Sequence, residues 1–317
     1  MPKIVVLWSD VVVLATLALL VLYGIRIHAS ANLRATWLKV LRDRPAACAS
    51  VVLVLFFAVA VVDSFHFRRA LDATAGAGAG QVQAYGTRTE SLLDVLLARE
   101  LAGRETSYSA PLAIRGFTKD SVDTGGGGIE RIHPRLAHGG EQLADDAQWL
   151  PDVRSRIALG LALGLLAAAL IALFAALALA RFHRQPLRSA ASALLRNRTE
   201  LPWRAVLVTV LVLCLLGGPL FALARHYHVF GTDRTGNDVF YQALKSIRTA
   251  FVIGTLSTIA TLPLAVGLGL VAGYLRGWVD EAVQYAYTLL SSIPNVLLIA
   301  ACVLMMQVFI DTHPDLF

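Results

Sequence analysis

Six apolar runs govern what this chain can fold into: residues 4–25, 46–62, 157–180, 205–224, 249–275 and 282–310. A bilayer core of about 30 Å is crossed by about 20 mostly apolar residues in a helix. Four runs clear that length, one is close to it, and 46–62 is the shortest. Composition agrees: 56% of the 317 residues are hydrophobic and 16% charged. An ordinary soluble domain holds about half and about a quarter, and a disordered chain is less apolar still. The expected class is an all-α integral membrane protein with six transmembrane helices.

The net charge of +6 has a place as well as a sign. Arg26, Arg34, Lys39, Arg42 and Arg44 face only Asp43 between the first two runs, and Arg181, Arg184, Arg188, Arg196, Arg198 and Arg204 face only Glu200 between the third and fourth. Segment 63–156 is balanced, with 11 basic and 13 acidic residues. Short basic loops stay in the cytoplasm, whereas long loops cross largely regardless of charge. The basic excess therefore reads as membrane topology and not as a nucleic-acid footprint. It puts 63–156, loop 225–248, the N-terminus and Phe317 outside, and the turn at 276–281 inside. Lys3, the apolar stretch 11–22 and Ala29-Ser30-Ala31 also fit a cleavable signal peptide. Cleavage would leave the arginine-rich loop 181–204 outside, against the charge bias.

The domain plan is an N-terminal helix pair with a basic cytoplasmic loop (1–62), a loop-rich extracytoplasmic domain (63–156), a second helix pair with a basic loop (157–224), an outer loop (225–248) and a C-terminal membrane region (249–317). Glycine tracts at 75–80 and 125–128 read as flexible linkers. Between them, Leu92, Leu93, Leu96, Leu97 and Leu101 fall at helical spacing. A short surface helix is expected over 187–195, and the sequon Asn197-Arg198-Thr199 has no consequence in a cytoplasmic loop. No internal repeat stands out.

Chemistry is sparse. Gly231 and Gly236 have the spacing of a phosphate loop, but Asn237 and Asp238 stand where the lysine and hydroxyl belong, so a phosphate would meet no cation and a carboxylate. As structure the loop makes sense: glycines for tight turns, then Asp238 as N-cap of a helix over 239–248. His226 and His228 have no Cys or carboxylate at ligand spacing, so no metal site is expected; His133 and His138 make no better case. Cys48, Cys214 and Cys302 sit in apolar runs as small hydrophobes. No catalytic constellation and no cofactor is expected.

Gly160-x-x-x-Gly164 and Gly269-x-x-x-Gly273 are candidate helix-packing faces, and Gly254 and Gly267 strengthen the second. Pro263 and the stretch Ser291-Ser292-Ile293-Pro294-Asn295 interrupt the last two runs, while Gln284 and Gln307 add polar groups. Polar or unwound backbone at membrane depth is tolerated only against protein or a water-filled cavity. Ser291, Ser292, Asn295 and Gln307 are therefore candidates for lining a path.

An ordered set of motifs runs through residues 228–307: His228-Val229-Phe230-Gly231-Thr232-Asp233, Gly236-Asn237-Asp238-Val239, Ile247-Arg248-Thr249-Ala250, Gly269-Leu270-Val271-Ala272-Gly273-Tyr274, Gly277-Trp278-Val279-Asp280 and Ile293-Pro294-Asn295-Val296-Leu297-Leu298-Ile299-Ala300. This set resembles the inner-membrane permease subunit of bacterial ABC importers for dipeptides and oligopeptides. There the corresponding order is H-x-x-G-T-D-x-x-G-R-D-V, A-R-x-S-L, G-x-x-A-G-Y, G-W-x-D and F-P-x-L-L-L-A. The family motif maps to Gly231, Thr232, Asp233, Gly236, Asp238, Gly277, Trp278 and Asp280. Asn237 replaces the usual arginine.

The resemblance implies that 249–317 is the start of a type I importer transmembrane domain in the bacterial inner membrane. It further implies a second permease subunit, separate ATPase subunits that hydrolyse ATP, and an extracytoplasmic solute-binding protein. The chain itself would then be a transport subunit and not an enzyme. The family docks its ATPases through E-A-A-x-x-x-G, two helices beyond the G-W-x-D turn; Glu281-Ala282-Val283 is not that motif, so the resemblance implies a C-terminally truncated permease. The rival class is a membrane-anchored sensor or assembly protein with 63–156 as its working part. A secondary transporter would show paired repeats and intramembrane charges, and Asp10, near one end of a run, is the lone acid in the six.

Overall fold

Helices carry the apolar runs, because an α-helix satisfies every backbone polar group within its own segment where water is absent. The computed structural model describes residues 3–70, 85–87, 89–123, 129–195 and 201–314, and the chain falls into two units, Met1–Ile253 and Gly254–Phe317. In chain order come β1 (Lys3–Val5), α1 (Trp8–Ala29), α2 (Ala31–Arg42) and α3 (Arg44–Asp63). The polar segment supplies β2 (His66–Arg68), β3 (Glu90–Ser91), α4 (Leu92–Leu96), α5 (Ala98–Ala102), β4 (Asp120–Asp123) and β5 (Ile129–Ile132). Then follow α6 (Trp149–His183), α7 (Leu187–Leu195), α8 (Trp203–Ala224), α9 (Val239–Leu275), α10 (Trp278–Ser292) and α11 (Asn295–Thr312).

Six of these, α1, α3, α6, α8, α9 and α11, are long and apolar enough to cross a membrane. The chain is a multi-pass, all-α membrane protein. The last run breaks where its sequence predicts: Ile293 is extended (φ −83°, ψ 127°) and Pro294 precedes α11. A residue before proline is pushed out of the α region. The expected interruption at Pro263 does not occur, and α9 runs through it. Proline's φ fits a helix, and in membrane helices the freed carbonyl is tolerated.

In the first unit, β1, β2 and β3 form an antiparallel sheet in that order, with Ile4 opposite Phe67 and His66 opposite Ser91. The first residues of the apolar run at 4–25 are thus strand. β4 pairs with β5 as a hairpin, Asp120 opposite Ile132. The glycine tracts at 75–80 and 125–128 lie outside the described residues, as do Arg196, Arg198, Glu200, the sequon and Phe317. The helical pattern expected from Glu90 to Leu101 is, in the structure, strand over Glu90–Ser91 followed by two short helices parted at Leu97, because Ser91 caps the first of them. They bury Leu93 and Leu97, while Leu92 and Leu96 face outward. The anticipated α7 is present.

A small core of Leu143, Val153, Leu223, Ala224, Tyr227, Val229 and Phe240 ties the polar segment to the ends of α6 and α8 and the start of α9. Beyond it, α6 and α8 meet backbone to backbone. A Cβ at Gly160 would overlap Pro219, one at Gly164 would overlap Cys214, and one at Gly218 would overlap Gly160. The Gly160-x-x-x-Gly164 face is therefore a packing face. In the second unit, no described residue lies within 4 Å of a Cβ built at Gly254, Gly267, Gly269 or Gly273.

Candidate functional site: a buried polar latch at the start of α9

The loop that carries Gly231 to Asp238 is two tight turns clamped by residues 105–109. Gly231 (φ 75°) and Gly236 (φ 77°) take left-handed conformations that disfavour a side chain. A Cβ on either would also run into the carbonyl of Ser109 or of Glu105. Glu105 N–H donates to the Gly236 carbonyl (2.8 Å), and Thr232 pairs with Ser109 in an antiparallel bridge. The Thr232 hydroxyl donates to the Ser107 carbonyl (2.8 Å) and Ser109 Oγ (3.1 Å).

Inside the loop, Asp233 Oδ1 accepts from the N–H groups of Thr235 (2.8 Å) and Asn237 (3.0 Å), and Oδ2 from the Gln242 amide (2.7 Å). The Gln242 bond, reinforced by Thr235 and Asn237, holds this carboxyl far below the usual range. Asn237, where the family pattern has arginine, uses its amide on Thr235 Oγ1 (2.7 Å). No phosphate cradle results: Asp233 and Asp238 turn acceptors inward and take up the available donors.

Asp238 caps α9 as expected, accepting from Tyr241 N–H at 3.1 Å. Its second oxygen lies 2.6 Å from His228 Nδ1, while His228 Nε2 lies 3.3 Å from Glu105 Oε1. Glu105 also accepts from the N–H groups of Ala137, His138 and Gly139. All three side chains are buried. Burial works against the charged imidazole, but Asp238 and Glu105 overcome it and raise His228 to about 9. Burial likewise raises Glu105, and the His228 bond with the three backbone donors brings it down to about 2. His226 takes no part, and the described residues hold no metal-binding cluster.

The first turns of α9 present Tyr241, Lys245 and Arg248 along one stripe, spaced as one face of a helix. Tyr241 OH donates to Asp94 Oδ1 (2.6 Å) and Lys245 Nζ to Asp94 Oδ2 (2.8 Å). Burial raises Asp94, but Lys245, Tyr241 and the Ser91 N–H lower it below its usual value. Arg248 reaches Asp10 Oδ1 (2.9 Å) from α1 and Asp63 Oδ2 (3.2 Å) from α3. His66 Nδ1 lies 2.9 Å from Asp10, and Ser91 Oγ donates to Asp63 Oδ1 (2.6 Å). Asp10 and Asp63 are each 1% exposed. A third contact closes on α6, where Tyr227 OH and Arg156 Nε each donate to Asp152 Oδ2 (2.7 Å).

The arrangement has no activated nucleophile and no open acid–base pair. Its chemistry is mechanical: buried charges and hydrogen bonds fix the start of α9 to α1, α3 and the polar segment. Of the motif residues, Gly231, Thr232, Asp233, Gly236 and Asp238 come together here. Gly277, Trp278 and Asp280 belong to the second unit. There Gly277 (φ 61°) precedes α10, Trp278 is exposed, and Asp280 accepts from Gln284 (3.1 Å). Ser291, Ser292, Asn295 and Gln307 are also in that unit and all exposed. Sequence reasoning missed Asp63, Asp94, Glu105 and Lys245. The available signal was Asp10, an acid at the end of an apolar run, together with Arg248 at the start of another.

No family model and no solved structure matches the chain. Curated proteins do match. The chain is 33% identical over 79 residues to the glutathione transport system permease protein GsiD of Pectobacterium atrosepticum, covering 25% of this chain and 26% of the relative. It is 32% identical over 76 residues to the dipeptide transport system permease protein DppC of Alkalihalophilus pseudofirmus, covering 24% and 25%. It is 30% identical over 73 residues to the oligopeptide transport system permease protein OppC of Mycobacterium tuberculosis, covering 23% and 25%. The chain spans about a quarter of the length of the curated relatives it matches. Over that quarter, the resemblance to importer permeases read from the motifs is borne out.

Proposed function

We propose that the chain is a membrane-spanning subunit of an ATP-driven importer in a bacterial inner membrane, with peptides or peptide-like solutes as cargo. The similarity to three transport-system permeases, over a stretch of the length that the ordered motifs occupy, carries the reading. Segment 63–156 and loop 225–248 then face outward, where a solute-binding protein delivers cargo. A second permease subunit completes the path, and separate ATPase subunits drive the change of access. Ser291, Ser292, Asn295 and Gln307 line that path. The rival reading, a sensor working through 63–156, needs a segment that acts apart from the helices. Asp94, Glu105 and Ser107 instead close onto residues 228–248, which favours the permease.

Deleting the gene and following uptake of labelled dipeptide, oligopeptide and glutathione tests this. Loss of at least one uptake activity, restored by the intact gene, is expected. Unchanged uptake of all three sinks the proposal.

A further inference from the structure

Within Met1–Ile253, the side-chain contacts of the latch gather at one end of the helices. Asp10 near the start of α1 and Asp63 at the end of α3 meet on Arg248. The start of α6 and the segment after α8 meet through Asp152 and Tyr227. α3 also packs beside α8. The two connections α2 and α7 therefore both lie at the other end of the same unit.

That end is strongly one-signed. Lys39, Arg42 and Arg44 on and beyond α2, and Arg181, Arg184 and Arg188 around the start of α7, are all exposed. Asp43 is the sole acid among the described residues of both connections. α2 is also amphipathic. Leu33, Trp37 and Val40 share one face and remain 37–45% exposed, while Lys39 and Arg42 occupy the other. Trp37 is oriented by its indole N–H, which donates to Tyr23 OH on α1 (3.1 Å). A helix with an apolar stripe and a basic face beside a membrane span lies in the interface, with its stripe among acyl chains and its cations at headgroup level. Clusters of such cations next to membrane spans attract anionic lipid.

We propose that the α2–α7 end is a binding surface for acidic phospholipid headgroups, in which the cations take the phosphates and the Leu33–Trp37–Val40 stripe takes the adjoining acyl chains. This goes beyond the importer reading and needs only that the helices span the membrane.

The test uses the whole chain in detergent with equal amounts of phosphatidylglycerol and phosphatidylcholine, and native mass spectrometry counts the lipids retained. A preference for phosphatidylglycerol of about tenfold is expected, falling as salt is raised. Replacing the six cations by glutamine should bring the ratio close to one, while Arg154→Gln, at the opposite end, leaves it unchanged. Equal retention of the two lipids by the unaltered chain overturns the proposal, as does a preference indifferent to salt; both readings are independent of whether the six-site variant folds. A folded six-site variant that keeps the preference also overturns it. If inorganic phosphate removes the preference at the same concentration as the lipid, the surface binds free anions and the lipid assignment fails.

Discussion

Arg248 donates to Asp10 across 238 residues of sequence, with Nη1 2.9 Å from Oδ1. The same guanidinium holds Asp63, so one side chain at the start of α9 joins α1 to α3. Arg248 also occupies the arginine position of the A-R-x-S-L motif, and here that residue is the keystone of a buried ionic group.

Removing this cation strands two buried carboxylates. Arg248→Met is expected to destabilise the first unit by about 3–5 kcal/mol, the range for breaking one partner of a buried pair. Asp10→Asn combined with Arg248→Met should cost less than the sum of the single changes. Thermal unfolding of the purified chain, followed by circular dichroism, measures both. A shift under about 0.5 kcal/mol for Arg248→Met would contradict the latch.

His228 gives stability a pH dependence. Its proton is bound more tightly in the folded chain (about 9) than at the ordinary value of 6.5. The contribution is therefore fully present below pH 6.5, fades as pH rises towards 9, and is gone above it. Glu105 acts in a separate window: its contribution is full above 4.5 and disappears as pH falls towards 2. His228→Gln should flatten the alkaline window and narrow the acid one without abolishing it, because Glu105 loses its His228 bond but keeps the N–H groups of Ala137, His138 and Gly139. Unfolding midpoints across pH check this, and an unchanged alkaline slope in the variant would count against the assignment.

Two glycine substitutions should behave oppositely. Gly164→Ala forces a methyl group onto the backbone of α8 and is expected to destabilise by about 1–3 kcal/mol. Gly254→Ala meets nothing within 4 Å and should be neutral or stabilise by up to about 1 kcal/mol in the isolated chain. Comparing their unfolding in detergent distinguishes a packed face from an open one.

The proposed path residues are tested by function. Ser292→Leu with Asn295→Leu is expected to lower solute uptake at least tenfold without reducing the amount of protein in the membrane, since an apolar wall removes the polar contacts a solute would make. Uptake within experimental error of the unaltered protein would mean these residues lie off the path.

The six spans were legible because an apolar run has one physical outcome in a bilayer. The break at Pro294 and the cap at Asp238 were legible because each is a local rule, pre-proline geometry in one case and a carboxylate at a helix start in the other. The latch was not. Asp63, Asp94 and Glu105 sit in a charge-balanced segment where any acid looks solvated, and their partners His228, Lys245 and Arg248 are over a hundred residues away. Pro263 misled because the rule against internal proline weighs less where the rest of the helix is strongly apolar. Among the glycine stripes, sequence favoured Gly269 and Gly273, strengthened by Gly254 and Gly267, yet it is Gly160 and Gly164 that meet backbone within the described residues.

Direct backbone contact between α6 and α8 also restricts what can move. Sliding α6 by one turn in either direction would bring Ala168 or Arg156 to a position where only glycine fits against Cys214 or Pro219. The pair has a single register and behaves as a stator. It holds the Asp152 and Tyr227 sides of the polar end at a fixed separation, so rearrangement within the first unit has to be taken up by its other helices.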